Sequence, residues 1–334
     1  MDFGRRAVTS LNNIKVTYPI KYMQVEKNLI NQAIIQQGYQ AFLAPAKINL
    51  FLHVVGKRDD GYHFLQTVFQ LLDFYDTIYL KVNNNGIVTR NQQVQNINAE
   101  DDLCVRAALA LKQYAINNFL NAPKQYSQLG VDIAYDKRIP MGGGLGGGSS
   151  DAASVLIALN QLWELNLSNI VLMQLALSIG ADVPVFVFGQ NAWAEGIGEV
   201  LQTIELPITY YVVITPQTHV ATAEVFKRFN ANKSLTKYTN PKTIAGFSRQ
   251  PFSDDFKNDL EQIVCEDYES VLATLNWLKQ FGDARMSGSG ASLFVAVNSE
   301  VKAKEILQKK PINTLGFVAK SLKYHPLHKM NSSK

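Results

Sequence analysis

At 334 residues, 47% of them hydrophobic, the chain is long enough to bury two ordinary cores, yet no apolar run approaches the roughly 18 residues that a membrane-spanning helix needs. Charged residues make up only 18% and the net charge is +4 with the basic residues scattered, which suits an anionic small molecule and excludes the clustered basic face of a nucleic-acid binder. Cys104 and Cys265 stand far apart without metal-ligand spacing, the pattern of a reduced, cytoplasmic protein.

Residues 1–41 are rich in Asn and Gln and carry no period, which predicts a poorly ordered extension; Arg5 and Arg6 precede no long apolar stretch, so a secretory signal is not expected. From Phe42 apolar and polar positions alternate as far as Gly56, a strand pattern. Residues 65–72 and 76–82 predict two more strands, with Asn83-Asn84-Asn85-Gly86 as a turn. Asp101 and Asp102 are helix-start residues before an amphipathic run over 103–118. A short strand is predicted at 131–135, a helix at 150–163, and a second helix at 168–179 that Gly180 stops. After an apolar run at 185–189 and a turn-rich ribbon at 193–199, a domain boundary is expected between Glu199 and Pro207. Beyond it the pattern predicts a strand at 210–215, a helix at 222–229, irregular chain at 230–250, and helices near 255–265 and 268–280. A small-residue loop at 285–290, a strand at 291–297 and a helix at 301–307 complete it.

Residues 139–153, Ile-Pro-Met-Gly-Gly-Gly-Leu-Gly-Gly-Gly-Ser-Ser-Asp-Ala-Ala, are the densest feature. Glycine loses more backbone entropy on folding than any other residue, so six of them in an ordered domain need a reason. A flexible linker would join polar segments, whereas this run lies between a strand and a strong helix. A dinucleotide fingerprint would place an acidic residue on a strand about 20 residues later, where the sequence is still helical, and a P-loop would carry a Lys before Ser or Thr. An anion cradle of another kind remains: unscreened backbone N–H groups at a helix start, with Ser149 and Ser150 adding hydroxyls. Pro45-Ala46-Lys47-Ile48-Asn49 adds a cation and an amide on a strand, and Gly180-Ala181-Asp182-Val183-Pro184 adds a carboxylate in a turn. A Lys and an Asp beside a phosphate are the minimum needed for phosphoryl transfer to an alcohol. Taken singly, a surface lysine and a turn-capping Asp are the commoner roles.

The segments Pro-Ala-Lys-Ile-Asn-Leu at 45–50, Asp-Gly-Tyr-His at 60–63, Pro-Met-Gly-Gly-Gly-Leu-Gly-Gly-Gly-Ser-Ser at 140–150, Gly-Ala-Asp-Val-Pro at 180–184 and Ser-Gly-Ser-Gly-Ala at 287–291 resemble, in this order, the GHMP kinase superfamily. The likeness spans about residues 45–328. Gly147 and Gly148 before Ser149 depart from the wider superfamily's Gly-Leu-Gly-Ser-Ser-Ala and match its branch acting on 4-diphosphocytidyl-2-C-methyl-D-erythritol.

The resemblance implies an α+β fold of two domains, an ATP-binding, ribosomal-protein-S5-like one at 42–202 and a ferredoxin-like one at 203–330, with the site between them. It implies Asp182 as catalytic base and Lys47 as its catalytic partner. ATP would be held by Pro140, Met141, Gly142, Gly143, Gly144, Leu145, Gly146, Gly147, Gly148, Ser149 and Ser150, with Lys137 bordering the adenine. The substrate would meet Asn49, Tyr62, His63, Thr222, Phe226, Gly288, Ser289 and Gly290, with Tyr62 stacking on a cytosine, His63 bonding its edge and Phe226 opposing Tyr62. A helix-core Phe226 and a solvated Lys137 are the plain alternatives. The implied reaction transfers a phosphoryl group from ATP, accompanied by Mg2+, to the 2-hydroxyl of that substrate in the non-mevalonate isoprenoid pathway. A relative acting on homoserine, mevalonate or a sugar is the rival, and a non-catalytic nucleotide-binding protein a further one. The expected partner is a cytidine-diphosphate-linked small molecule, with no nucleic acid and no membrane, in a monomer or weak homodimer; the metal ligands are left unassigned.

Overall fold

The computed structural model describes residues 34–91, 98, 100–119, 123–231, 242–249 and 253–328. The chain divides into two compact units, Met1–Gln40 and Ala41–Lys334. Most of the extension expected at 1–41 lies outside the described residues; of the first unit, residues 34–38 form a helical turn closed by Gln37 N–H to the Ile34 carbonyl at 3.0 Å.

The second unit opens with two long strands, β1 (Gln40–Lys57) and β2 (His63–Asn83). The two strands expected at 65–72 and 76–82 are thus one. The residues left between the two, 73–75, are where β2 passes between partners. Strand β2 pairs with β5 (Ala192–Glu195) over Thr67–Phe69 and with β4 (Gly130–Asp136) over Thr77–Asn83. With β3 (Val88–Arg90) and β6 (Val200–Thr203) they form a sheet of order β3-β4-β2-β5-β6, and β1 also pairs with β2. Helix α1 (Leu103–Asn118) starts as expected on Asp102, whose carboxylate accepts the N–H groups of Cys104 at 2.8 Å and Val105 at 3.4 Å.

After the short α2 (Pro123–Ser127), helix α3 (Gly147–Leu162) begins three residues before its expected start, inside the glycine run. Every residue from Ser150 to Asn160 is buried, which is why this helix is apolar all round instead of along one stripe. Helix α4 (Asn169–Ile179) follows its Ser168 cap, and the β-branched run after Asp182 is a short helix, α5 (Val183–Phe188), packed on α3 and α4. Burial there overrides strand propensity.

The second sheet is antiparallel. Strand β7 (Tyr210–Pro216) leads into α6 (Thr222–Ala231), α7 (Ile244–Arg249), α8 (Glu261–Asp267) and α9 (Glu269–Leu278). Then come β8 (Ala284–Met286), β9 (Leu293–Val297), α10 (Glu300–Gln308) and β10 (Thr314–Lys320). The strand order β10-β7-β9-β8 and the β-α-β-β-α-β connectivity are ferredoxin-like. Three details differ from the sequence reading: α7 lies in the stretch expected to be irregular, residues 284–286 are strand where a loop was expected, and β10 was not anticipated.

The two sheets share a core in which Ile48, Leu50 and Phe51 of β1 pack with Tyr211, Val213 and Phe294. Beyond β10 the chain returns to the first sheet: Leu322 N–H bonds the Leu71 carbonyl at 2.8 Å and His325 N–H the Gly189 carbonyl at 2.9 Å.

Candidate active site

One cavity of about 1190 Å³ lies where the glycine run, the β1 strand and the loops of the second sheet converge. Gly142, Gly144 and Gly146 hold φ of +66°, +74° and +71°, the left-handed region. At Gly144 a side chain is excluded twice over, because a Cβ there would lie 2.1 Å from the Ser287 carbonyl oxygen. Gly146 precedes α3 and supplies no side-chain cap, so the first-turn amides of the helix are left for another acceptor. Gly146, Gly147, Gly148 and Ser149 line the cavity, as do Pro140 and Met141; Leu145 and Ser150 are fully buried and form no part of its wall. Leu145 instead anchors the loop, its carbonyl accepting Lys47 N–H at 3.0 Å.

Beside this cradle Lys47, 2% exposed, directs Nζ to Asp182 Oδ2 at 3.2 Å and to Asn49 Oδ1 at 2.6 Å, with the Phe69 ring centroid 5.2 Å away. Asn49 Nδ2 donates to Thr67 Oγ1 at 2.9 Å, and Thr67 donates to the Phe51 carbonyl at 2.5 Å. The ammonium is therefore fixed by a chain of bonds rooted in β1 and β2. Asp182 caps α5 through position alone, its carboxylate making no capping bond, and its side chain is 39% exposed. A carboxylate free of capping duty, open to solvent on one side and held by an ammonium on the other, is placed to accept a proton from an incoming hydroxyl.

The second small-residue loop meets the first. Ser287 Oγ accepts Asn49 N–H at 3.1 Å and donates to the Gly144 carbonyl at 2.9 Å, while Ser292 N–H bonds the Gly143 carbonyl at 3.1 Å. Asn258 holds this loop from behind, donating to the carbonyls of Met286 at 2.9 Å and Gly288 at 2.7 Å. Gly288, Ser289 and Gly290 line the cavity, and Ser289 Oγ lies 2.6 Å from Thr222 Oγ1.

At the cavity's other end an Asx turn, Tyr62 N–H on Asp60 Oδ1 at 3.2 Å with Gly61 at φ +91°, presents Tyr62 60% exposed. His63 is 7% exposed; its ring stacks on Phe226 at 4.9 Å and meets Phe229 edge-on. His63 Nε2 lies 2.8 Å from Asn230 Oδ1, which can only accept; Nε2 carries the proton and Nδ1 is the ring's acceptor. Phe226 was expected to oppose Tyr62 across a base, but here the His63 ring covers a face of it.

Lys137 borders the cavity, yet its ammonium donates to Asp76 at 2.5 Å and to Asp151. Burial raises the Asp151 carboxyl, Lys137 opposes that and the Asp76 charge adds to it, leaving it up to about 8. Lys137 is raised in turn, its two carboxylates outweighing its own burial.

Comparison with known proteins bears on this arrangement. Residues 102–190 match the model of the GHMP kinases N terminal domain and residues 260–310 that of the GHMP kinases C terminal domain. A protein of Thiobacillus denitrificans named 4-diphosphocytidyl-2-C-methyl-D-erythritol kinase is 51% identical over 289 residues, covering 86% of this chain and 98% of its own. The chain belongs to the GHMP kinase family. An Azoarcus protein of the same name is 47% identical over 285 residues, covering 85% and 95%. The crystal structure of a 4-(cytidine 5'-diphospho)-2C-methyl-D-erythritol kinase superposes with a TM-score of 0.69 at 29% identity, covering 84% of this chain and 99% of that one. An L. major mevalonate kinase, with a TM-score of 0.61 at 16% identity and coverage of 85% and 96%, shares the fold.

This GHMP kinase thus gathers Lys47, Asn49, Asp182, the glycine run, the Tyr62–His63 pair, Thr222, Phe226 and the loop at 288–290 around one cavity. Sequence reasoning missed Thr67, Asp76, Asp151, Asn230 and Asn258. Only Asp151 carried a signal, being the next residue after Ser150 in the run.

Proposed function

We propose that the chain is an ATP-dependent kinase that phosphorylates the 2-hydroxyl of 4-diphosphocytidyl-2-C-methyl-D-erythritol. The observation that carries the reading is that the Lys47–Asp182 pair, the glycine cradle and the rings of Tyr62, His63 and Phe226 line one cavity. The hydroxyl oxygen attacks the γ-phosphorus as its proton passes to Asp182; the bond from phosphorus to the β-γ bridging oxygen breaks and ADP leaves. Lys47, unable to move because Asn49 holds it, stabilises the negative charge that develops on the transferring group. Asn49 holds the lysine through Oδ1 and Thr67 through Nδ2, and the donor and acceptor each has left over can meet the substrate. The glycine-loop amides take the ATP phosphates at the start of α3, within residues 42–202, and the domain at 203–330 contributes Thr222, Phe226 and the loop at 288–290.

Among the described residues no cluster of three or more His, Cys, Asp or Glu side chains forms a metal site. Ser149 and Asp182, both on the cavity wall, would hold Mg2+, whereas Ser150 Oγ, without a partner, is buried behind that wall. When bound, the ion neutralises charge on the β- and γ-phosphates.

With Nε2 engaged by Asn230, the other ring nitrogen of His63 would accept from the cytosine amino group, and the exposed Tyr62 ring offers a stacking face. A homoserine, mevalonate or sugar kinase would leave that pocket unused. Asp182→Asn tests the reading: turnover falls about 10²- to 10⁴-fold, the usual share of a general base, while ATP affinity is retained. Near-normal turnover would remove Asp182 from the role, and in an ATP-consumption assay, failure on the diphosphocytidyl alcohol with turnover of another alcohol would move the assignment to that substrate.

A further inference from the structure

The glycine run has almost no side chains with which to pack itself, so the separation of its two ends must be set from outside. Its entry is residues 137–139 and its exit the first turn of α3. The ladder between β2 and β4 runs from Asn83 opposite Gly130 to Thr77 opposite Asp136, and one step further brings Asp76 beside Lys137. Asp76, fully buried, gives one oxygen to the backbone N–H groups of Arg138 at 2.5 Å and Ile139 at 2.8 Å, and the other to Lys137 Nζ. The same ammonium donates to Asp151, just past the first turn of α3. Entry and exit are therefore tied to one carboxylate of β2 that is not itself part of the cavity wall. Burying the carboxyls of Asp76 and Asp151 for packing alone is unfavourable, since taking such groups out of water costs several kcal/mol and apolar residues of similar volume are often as stable.

We propose that Asp76, Lys137 and Asp151 are positioning residues of the phosphate cradle: Asp76 fixes the loop entry, and Lys137 carries that anchor across to α3, setting the width into which the phosphates fit. This rests on the reading of the glycine loop as the ATP site. Lys137 then serves ATP through the loop rather than by touching the base.

The informative variant is Asp76→Asn, because the amide oxygen keeps both backbone bonds while its NH2 group turns a donor toward Lys137 and breaks only that link. Calorimetric titration of the full chain with ADP and, separately, with inorganic tripolyphosphate reads the cradle with and without a base. Affinity for both falls about 10- to 100-fold in Asp76→Asn, the range expected when binding groups are misplaced by about 1 Å, whereas KM for the alcohol changes less than about twofold. Lys137→Arg, which can reach both carboxylates, recovers most of the affinity that Lys137→Met loses, and Asp76→Asn adds no further loss to Lys137→Met. Should Lys137→Met not fold, the Asp76→Asn and Lys137→Arg comparison decides. A lower melting temperature with wild-type affinity for both probes would overturn the inference, and so would a loss confined to ADP, which would mean that Lys137 touches the nucleoside. If the wild-type chain binds neither probe, the ATP reading itself falls and takes the inference with it.

Discussion

Ser287 is the joint between the two loops and the catalytic strand, and truncating it should be felt in both stability and nucleotide use. Its hydroxyl, fully buried, is the partner of two backbone groups at once, Asn49 N–H at 3.1 Å and the Gly144 carbonyl at 2.9 Å. Ser287→Ala leaves both without that partner in a site that the hydroxyl alone filled. An orphaned buried polar group costs about 1–3 kcal/mol, so with partial relaxation the variant loses about 2–4 kcal/mol. For a unit of this size that corresponds to a fall in Tm of about 3–7 °C. Ser289→Ala is the internal control: two residues on, its hydroxyl bonds Thr222 at 2.6 Å on the exposed rim, where the loss is about 0.5 kcal/mol and about 1–2 °C. Scanning calorimetry on the pair, with KM for ATP measured alongside, separates them. Since Asn49 and Gly144 belong to different halves of the site, Ser287→Ala should also raise KM for ATP. Equal Tm values for the two variants would refute the assignment of Ser287 as a buried double bridge.

His63→Ala removes the base acceptor and the ring stacked on Phe226; KM for the diphosphocytidyl alcohol should rise about tenfold with KM for ATP unchanged, and the reverse pattern in steady-state kinetics would place the base elsewhere. His325 is buried beside Ser154, and burial together with the charge of His328 lowers it to about 3. With a folded value far below the ordinary 6.5, the unfolded chain binds the extra proton, so its contribution is fully present above about pH 6.5 and is lost as pH falls toward 3. At pH 5 the loss is about 2 kcal/mol, and denaturant titrations from pH 7 to pH 5 should show a shallower fall in His325→Gln than in the parent; identical slopes would exclude His325 as the source.

Much of the site was legible because backbone geometry dictated the residue types. Gly144 and Gly146 stand at positive φ where a Cβ would strike Ser287 on one side and Phe186 with Lys47 on the other, so few other sequences could build that turn. Asp76 was illegible for the opposite reason. Any acidic residue on a strand reads as an exposed edge, and only the β2–β4 register, fixed by pairing across more than fifty residues of chain, brings it to Lys137. The same limit hid the unity of β2, read as two strands at 65–72 and 76–82 until its two successive partners are known. Strand β10 was missed because Gly316 interrupts its pattern; a Cβ there would come 2.7 Å from Ile214 Cδ1, so the glycine marks close packing of β10 on β7 and not a break.

The proposed catalytic pair is asymmetric, and the asymmetry has a consequence for selectivity. Lys47 is sealed among Asn49, Asp182 and the Phe69 ring, whereas Asp182 leaves well over a third of its side chain in water. A base open to water can deprotonate water as readily as an alcohol, so ATP would be hydrolysed unless the acceptor displaces the solvent around Asp182. Tyr62 and His63, the groups proposed to hold the acceptor's base, line the same cavity apart from the Lys47–Asp182 pair. Binding there is a remote interaction whose energy goes into holding the alcohol over Asp182 and excluding water from it. An acceptor without a base would reach the same Lys47 and Asp182 but would lack that hold, and so the distant pocket, and not the chemistry at the pair, decides which alcohol is phosphorylated.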